Sequence, residues 1–112
     1  MTNNLISIND MDNYQEIAVG FAVYHAEHAI VYPTLGLVGE AGEVAEKVKK
    51  MLRGDGNLDR GETVKELGDV LWYVANLAND LGYRLSDVAQ GNIDKLRSRK
   101  ERDAIRGSGD NR

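Results

Sequence analysis

Glu40-x-x-Glu43 and Glu66-x-x-Asp69 set two pairs of carboxylates at helical spacing. Residues three apart lie on nearly one side of an α-helix, so each pair forms a pincer rather than a scatter of charge. Four anions gathered in this way need cations. Oxygen-only donors suit Mg²⁺ or Mn²⁺, and a Mg²⁺ ion held by a few carboxylates keeps positions open for water and substrate phosphates. The residue types and their spacing therefore point to phosphate chemistry. The competing reading is two solvated faces, with Glu43–Lys47 and Glu46–Lys50 pairs each stabilising a helix by about 0.2–0.5 kcal/mol.

The elements that must carry these residues are legible as helices. From Asp10 to about Glu27, Tyr14, Ile17, Ala18, Phe21 and Tyr24 recur at three- and four-residue spacing, with Asn9 or Asp10 as the cap. Pro33 suits the first turn of a second helix reaching about Arg53, with Leu37, Ala41, Val44, Val48 and Met51 as its apolar stripe. Residues 54–61 are turn chemistry. A third helix over roughly 62–81 carries Leu67, Val70, Leu71, Val74, Ala78 and Leu81. Gly82 then serves as a left-handed terminator and Ser86 as the next cap, and Val88, Ala89, Ile93 and Leu96 give a fourth helix its apolar side. By the helical period both cassettes sit beside the apolar seam of their helix, so packing the seams brings the acids together. Gly36, Gly39 and Gly42 each cost the second helix up to ~1 kcal/mol relative to alanine, which calls for either close helix packing or room for a ligand.

With no β-period alternation and short loops, the reading is an all-α, four-helix antiparallel bundle: one domain over residues 1–106 and a flexible tail, Gly107–Arg112. No stretch reaches the ~20 apolar residues of a membrane span and no secretory signal opens the chain, so the expectation is a cytoplasmic protein. The absence of cysteine excludes disulfides, thiolate zinc sites and a cysteine nucleophile. Residues 1–80 hold six Lys/Arg against thirteen Asp/Glu, which argues against a nucleic-acid polymer as partner. Residues 81–112 reverse the balance, eight against five, and supply local cations for phosphate.

The segments Tyr32-Pro33-Thr34-Leu35-Gly36-Leu37-Val38-Gly39-Glu40-Ala41-Gly42-Glu43-Val44-Ala45-Glu46-Lys47 and Lys65-Glu66-Leu67-Gly68-Asp69-Val70-Leu71-Trp72-Tyr73 resemble the MazG-like, all-α nucleoside triphosphate pyrophosphohydrolases, in their short single-domain branch. The resemblance implies cleavage between the α- and β-phosphates of a (d)NTP, giving (d)NMP and pyrophosphate, with two or three Mg²⁺ ions that Mn²⁺ can replace. It implies metal binding by Glu40, Glu43, Glu66 and Asp69, with Glu43 favoured over Glu40 as general base. Asn92, Lys95 and Arg99, together with Tyr73, match phosphate-contacting positions. Tyr14, Ile17, Phe21, Trp72 and Asn76 are candidates for holding the base, and the phage MazZ-type members that the chain resembles imply a preference for dGTP or GTP. Relatives assemble as homodimers or homotetramers, and at least a dimer is expected here.

Two other classes compete. Asp55-x-Asn57-x-Asp59 with Glu66 imitates an EF-hand calcium loop, but the glycine required for its sharp turn is replaced by Arg60. A non-catalytic helical interaction module predicts no pyrophosphate release from any nucleotide. A di-iron bundle needs Glu-x-x-His, which neither cassette has, and His25-x-x-His28 reads as surface or interface.

Overall fold

The computed structural model describes residues 6–106, with side chains as far as residue 103. Among these residues the fold is helical with no strand: α1 Met11–Gly20, a 3₁₀ turn Ala26–His28, α2 Val31–Leu52, α3 Arg60–Asp80 and α4 Leu85–Arg106. No helix among them is long and apolar enough to cross a membrane. The segment read as a flexible tail lies outside the described residues.

The helix ends follow local chemistry. Asp10 caps α1 by accepting the Asn13 N–H at 2.8 Å, and Asn13 accepts the Asn9 N–H at 3.0 Å in return. Pro33 occupies the first turn of α2, and Asp59 caps α3 by accepting the Glu62 N–H at 3.0 Å. Gly54 and Gly82, both at φ 85°, end α2 and α3. Past each, the next N–H returns to an orphan carbonyl, Asp55 to Lys50 at 3.0 Å and Tyr83 to Ala78 at 2.9 Å. The start of α4 departs from expectation. Ser86 is not its cap; Asp87 accepts the Arg84 N–H at 3.3 Å, while the Ser86 hydroxyl donates to Asp12 of α1 at 2.6 Å.

The first helix is also shorter than its periodicity suggests, ending at Gly20 instead of about Glu27. Phe21 turns its N–H back to Ala18, and Val23, Tyr24 and His25 are weak helix formers. Tertiary bonds then take over, because Asp80 captures both the Tyr24 hydroxyl and the Ile30 N–H. Gln15 bonds to Ala75 and Trp72 to Ala18, so α1 runs antiparallel to α3. Gly36 abuts Tyr73 and Lys47 pairs with Glu66, so α2 is antiparallel to α3 as well. Consequently α1 and α2 are parallel, and residues 21–30 carry the chain back along α3. The purely antiparallel arrangement expected from short loops holds for α2 and α3 but not for α1 and α2.

The core is small: Ala18, Ala75, Ala78 and Leu85, with Tyr14, Trp72 and Val74 packed against it. Several residues of the expected apolar stripes instead face outward, among them Phe21, Ala41, Met51, Leu67, Leu81, Val88, Ile93 and Leu96. Four helices apolar on more than one side cannot bury every such side within one chain. The radius of gyration, 17.9 Å, exceeds the roughly 13 Å of a compact chain of this length.

Candidate metal centre

The antiparallel register of α2 and α3 brings Glu40 opposite Glu66 and Asp69. One carboxylate oxygen from each lies within 4.8 Å of the other two, the spacing at which three oxygens can share a cation. Burial raises the Glu40 pKa, and the neighbouring charges of Asp69, Glu66 and Glu43 push it further in the same direction. Glu43, one turn along α2, is exposed and stands outside the three-residue group while still contributing to its field. Lys47 reaches across to Glu66 at 4.0 Å. Neither of the two pairs expected for solvated faces is seen among the described residues: Lys47 pairs between helices, and Glu46 pairs with Lys49, three residues on, at 3.5 Å.

Tyr73 forms one wall of this cluster. A Cβ at Gly36 would run into its ring carbons, so this glycine is required for the ring to lie on the α2 backbone. Gly39 and Gly42 have no such neighbour. Burial raises the Tyr73 pKa, with Tyr32 next and smaller contributions from the Glu40 and Asp69 charges. Burial raises the Tyr14 pKa on α1, and the Asp69 charge adds to it. Trp72 donates its indole N–H to the Ala18 carbonyl at 3.0 Å and serves the α1–α3 contact. Asn76 is only 1% exposed; its amide donates to the Trp72 carbonyl at 3.0 Å, and its Oδ1 has no hydrogen-bond partner among the described residues. Ile17 is half-buried and Phe21 is 65% exposed.

Asn92, Lys95 and Arg99 are carried by α4, where every residue from Ser86 to Ser98 is exposed. No hydrogen bond or ion pair among the described residues joins these three to the carboxylates. The EF-hand resemblance also dissolves in the geometry. Asp59 is committed to capping α3, Asp55 pairs with Arg53 at 2.9 Å, and Glu66 turns to Glu40. His25 and His28 lie edge to face at 6.3 Å, both exposed.

Sequence reasoning passed over Tyr24, Tyr32 and Asp80. Tyr24 stacks on Tyr32 at 5.0 Å, and Tyr32 lies 6.3 Å from Tyr73. Burial and donation to Asp80 push the Tyr24 hydroxyl up to about 12, which keeps it a donor. One signal was available: Asp80 falls seven residues after Tyr73, on the same side of α3.

The family description "MazG nucleotide pyrophosphohydrolase domain" matches residues 33–103, which include both acidic cassettes and most of α4. The chain is also similar to the Gene 37 protein of Mycobacterium phage L5, at 51% identity over 112 residues covering 91% of this chain and 98% of that protein. No solved structure matches it. With the carboxylate cluster inside the matched region and a phage relative of equal span, the chain belongs to the MazG nucleotide pyrophosphohydrolase domain family.

Proposed function

We propose that this protein hydrolyses nucleoside triphosphates between the α- and β-phosphates, releasing a nucleoside monophosphate and pyrophosphate, with Mg²⁺ as its metal. The observation that carries this reading is the meeting of Glu40, Glu66 and Asp69 from two helices within the family's matched region. These three would hold the first ion, and Glu43 would extend the site toward a second or third. Such ions, when bound, offset triphosphate charge and lower the pKa of water. Glu43 is the proposed general base: an exposed carboxylate, one turn from Glu40, that takes a proton from the attacking water. Tyr73 lines the phosphate side, and guanine nucleotides are the proposed preference.

Incubation with all eight common nucleotides and Mg²⁺, followed by product analysis, tests the reading. Monophosphate with pyrophosphate supports it; diphosphate with orthophosphate rejects the bond, and preferred cleavage of dCTP or dUTP rejects the guanine preference. Glu43→Gln should lower turnover at saturating Mg²⁺ by about a hundredfold or more, the usual scale for a lost general base. Near-normal activity removes Glu43 from the mechanism.

Assembly is part of the proposal. Val31, Leu35, Val38, Gly42 and Ala45 lie on the side of α2 opposite Glu40, all exposed, with Leu35 and Val38 at 68% and 67%. A second copy covering this face forms the proposed homodimer, itself able to pair into a tetramer. Leu35→Asp should shift the chain toward monomer in sedimentation experiments. An unchanged sedimentation coefficient places the interface elsewhere.

A further inference from the structure

We propose that Asp80 is a remote positioning residue that sets the register of α2 on α3, and through it the approach of Glu40 to Glu66 and Asp69. The inference rests on the metal-dependent reading of that cluster and adds a residue to it.

Ile30, just before α2, has φ 70° and ψ −52°, and its turn is closed by the Val31 N–H donating to the Ala29 carbonyl at 2.7 Å. Positive φ is costly for a β-branched residue, and a three-residue turn of this hand is rare. Such a conformation persists only when its surroundings over-determine it. One oxygen of Asp80 does so. It accepts the Ile30 N–H at 2.9 Å and the Tyr24 hydroxyl at 2.9 Å, gathering both ends of the connection onto the last residue of α3.

The consequence reaches the cluster through rigid parts. From Ile30 to Glu40 is ten residues of α2, and from Asp69 to Asp80 is eleven of α3. At 1.5 Å per residue these spans are about 15 and 16 Å, so the Asp80 latch and the carboxylate cluster close opposite ends of one frame. Between them, Tyr32 stacks on Tyr24 with ring planes 16° apart, and Tyr73 sits on the backbone of Gly36. With the latch intact, α2 has no freedom to slide along α3. Without it, the turn relaxes and Glu40 loses its fixed distance from Asp69.

Mn²⁺ binding to the whole chain, followed by the paramagnetic resonance of free Mn²⁺ without nucleotide, gives a readout independent of turnover. Asp80→Ala, with helical circular dichroism retained, should weaken Mn²⁺ binding about tenfold, the scale of lost outer-shell support at metal sites, and lower kcat in parallel. Asp80→Asn keeps an acceptor oxygen for both donors and should stay within about threefold of the wild type. Tyr24→Phe removes one donor, keeps the ring stack and should fall between them; it carries the test if Asp80→Ala does not fold. Wild-type Mn²⁺ affinity in the folded variants, whatever their melting temperature, overturns the proposal. A wild type that binds Mn²⁺ but releases no pyrophosphate overturns the proposed reaction alone, and one that binds no Mn²⁺ overturns both.

Discussion

Glu40→Gln is expected to make the metal-free protein more stable and the enzyme inactive. In the absence of metal, three carboxylates offer oxygens within 4.8 Å of one another. Burial and the charges of Asp69, Glu66 and Glu43 raise the Glu40 pKa. A folded-state pKa above the unfolded value means that ionised Glu40 opposes folding at neutral pH, and that the opposition fades as pH falls through the raised value. A neutral amide of the same shape removes it, so in chelator the variant should melt above the wild type. Saturating Mg²⁺ reverses the order: the wild type gains stability by mass action, and the variant, with one anionic ligand fewer, gains little. Pyrophosphate release should fall about a thousandfold, the scale of several kcal/mol of lost transition-state stabilisation. Parallel melting curves with chelator and with Mg²⁺ check this. A variant that melts lower in chelator would refute the charge-crowding account, and one that retains activity would remove Glu40 from the metal site.

That reversal follows from what the sequence exposed clearly. The cassettes could be read because a carboxylate pair at helical spacing keeps its geometry in any helix, and two such pairs beside apolar seams have few ways to pack. The Gly82 terminator and the Asp10 cap are equally local, so their residues declare them. What escaped depends on partners far along the chain. Asp80 belongs to no motif, yet it collects bonds from residues 50 and 56 positions away. The end of α1 could not be read because Tyr24 continues the apolar period, while its hydroxyl is claimed by that carboxylate. The apolar stripes misled for a related reason. Periodicity identifies which sides of a helix are apolar, not which is covered within one chain, and α2 has apolar residues on two sides. Among the small core residues, Ala18 and Ala78 fall on the expected stripes, whereas Ala75 is buried without standing out beside Leu67 or Leu81.

Gln15 was the least conspicuous of these omissions, and its replacement should have the largest effect on stability. It is only 5% exposed, yet its amide has three partners. Nε2 donates to the Ala75 carbonyl at 3.1 Å and to the Tyr83 carbonyl at 3.0 Å, while Oε1 accepts the Leu85 N–H at 3.0 Å. One side chain of α1 thus fastens α3, the turn after it and the start of α4. Leu85 opens its helix, so its N–H has no intrahelical acceptor, and Tyr83 lies in the turn, outside any helical ladder. Gln15→Leu keeps the volume and orphans both groups, each at about 1–3 kcal/mol. The expected loss of about 3 kcal/mol is a large share of the 5–15 kcal/mol that holds a domain together. Gln15→Glu should be worse at neutral pH, because an ionised carboxylate cannot donate to the two carbonyls and would be buried against them. That carboxyl's pKa would be raised in the folded state, so its deficit should shrink as pH falls, whereas the leucine deficit should show no such recovery. Urea unfolding of the three proteins at neutral and mildly acidic pH distinguishes these outcomes. Leucine and glutamate variants within about 1 kcal/mol of the wild type would mean that water takes over the three bonds and that the Asp12–Ser86 bonds and the buried Leu85 suffice to hold α4.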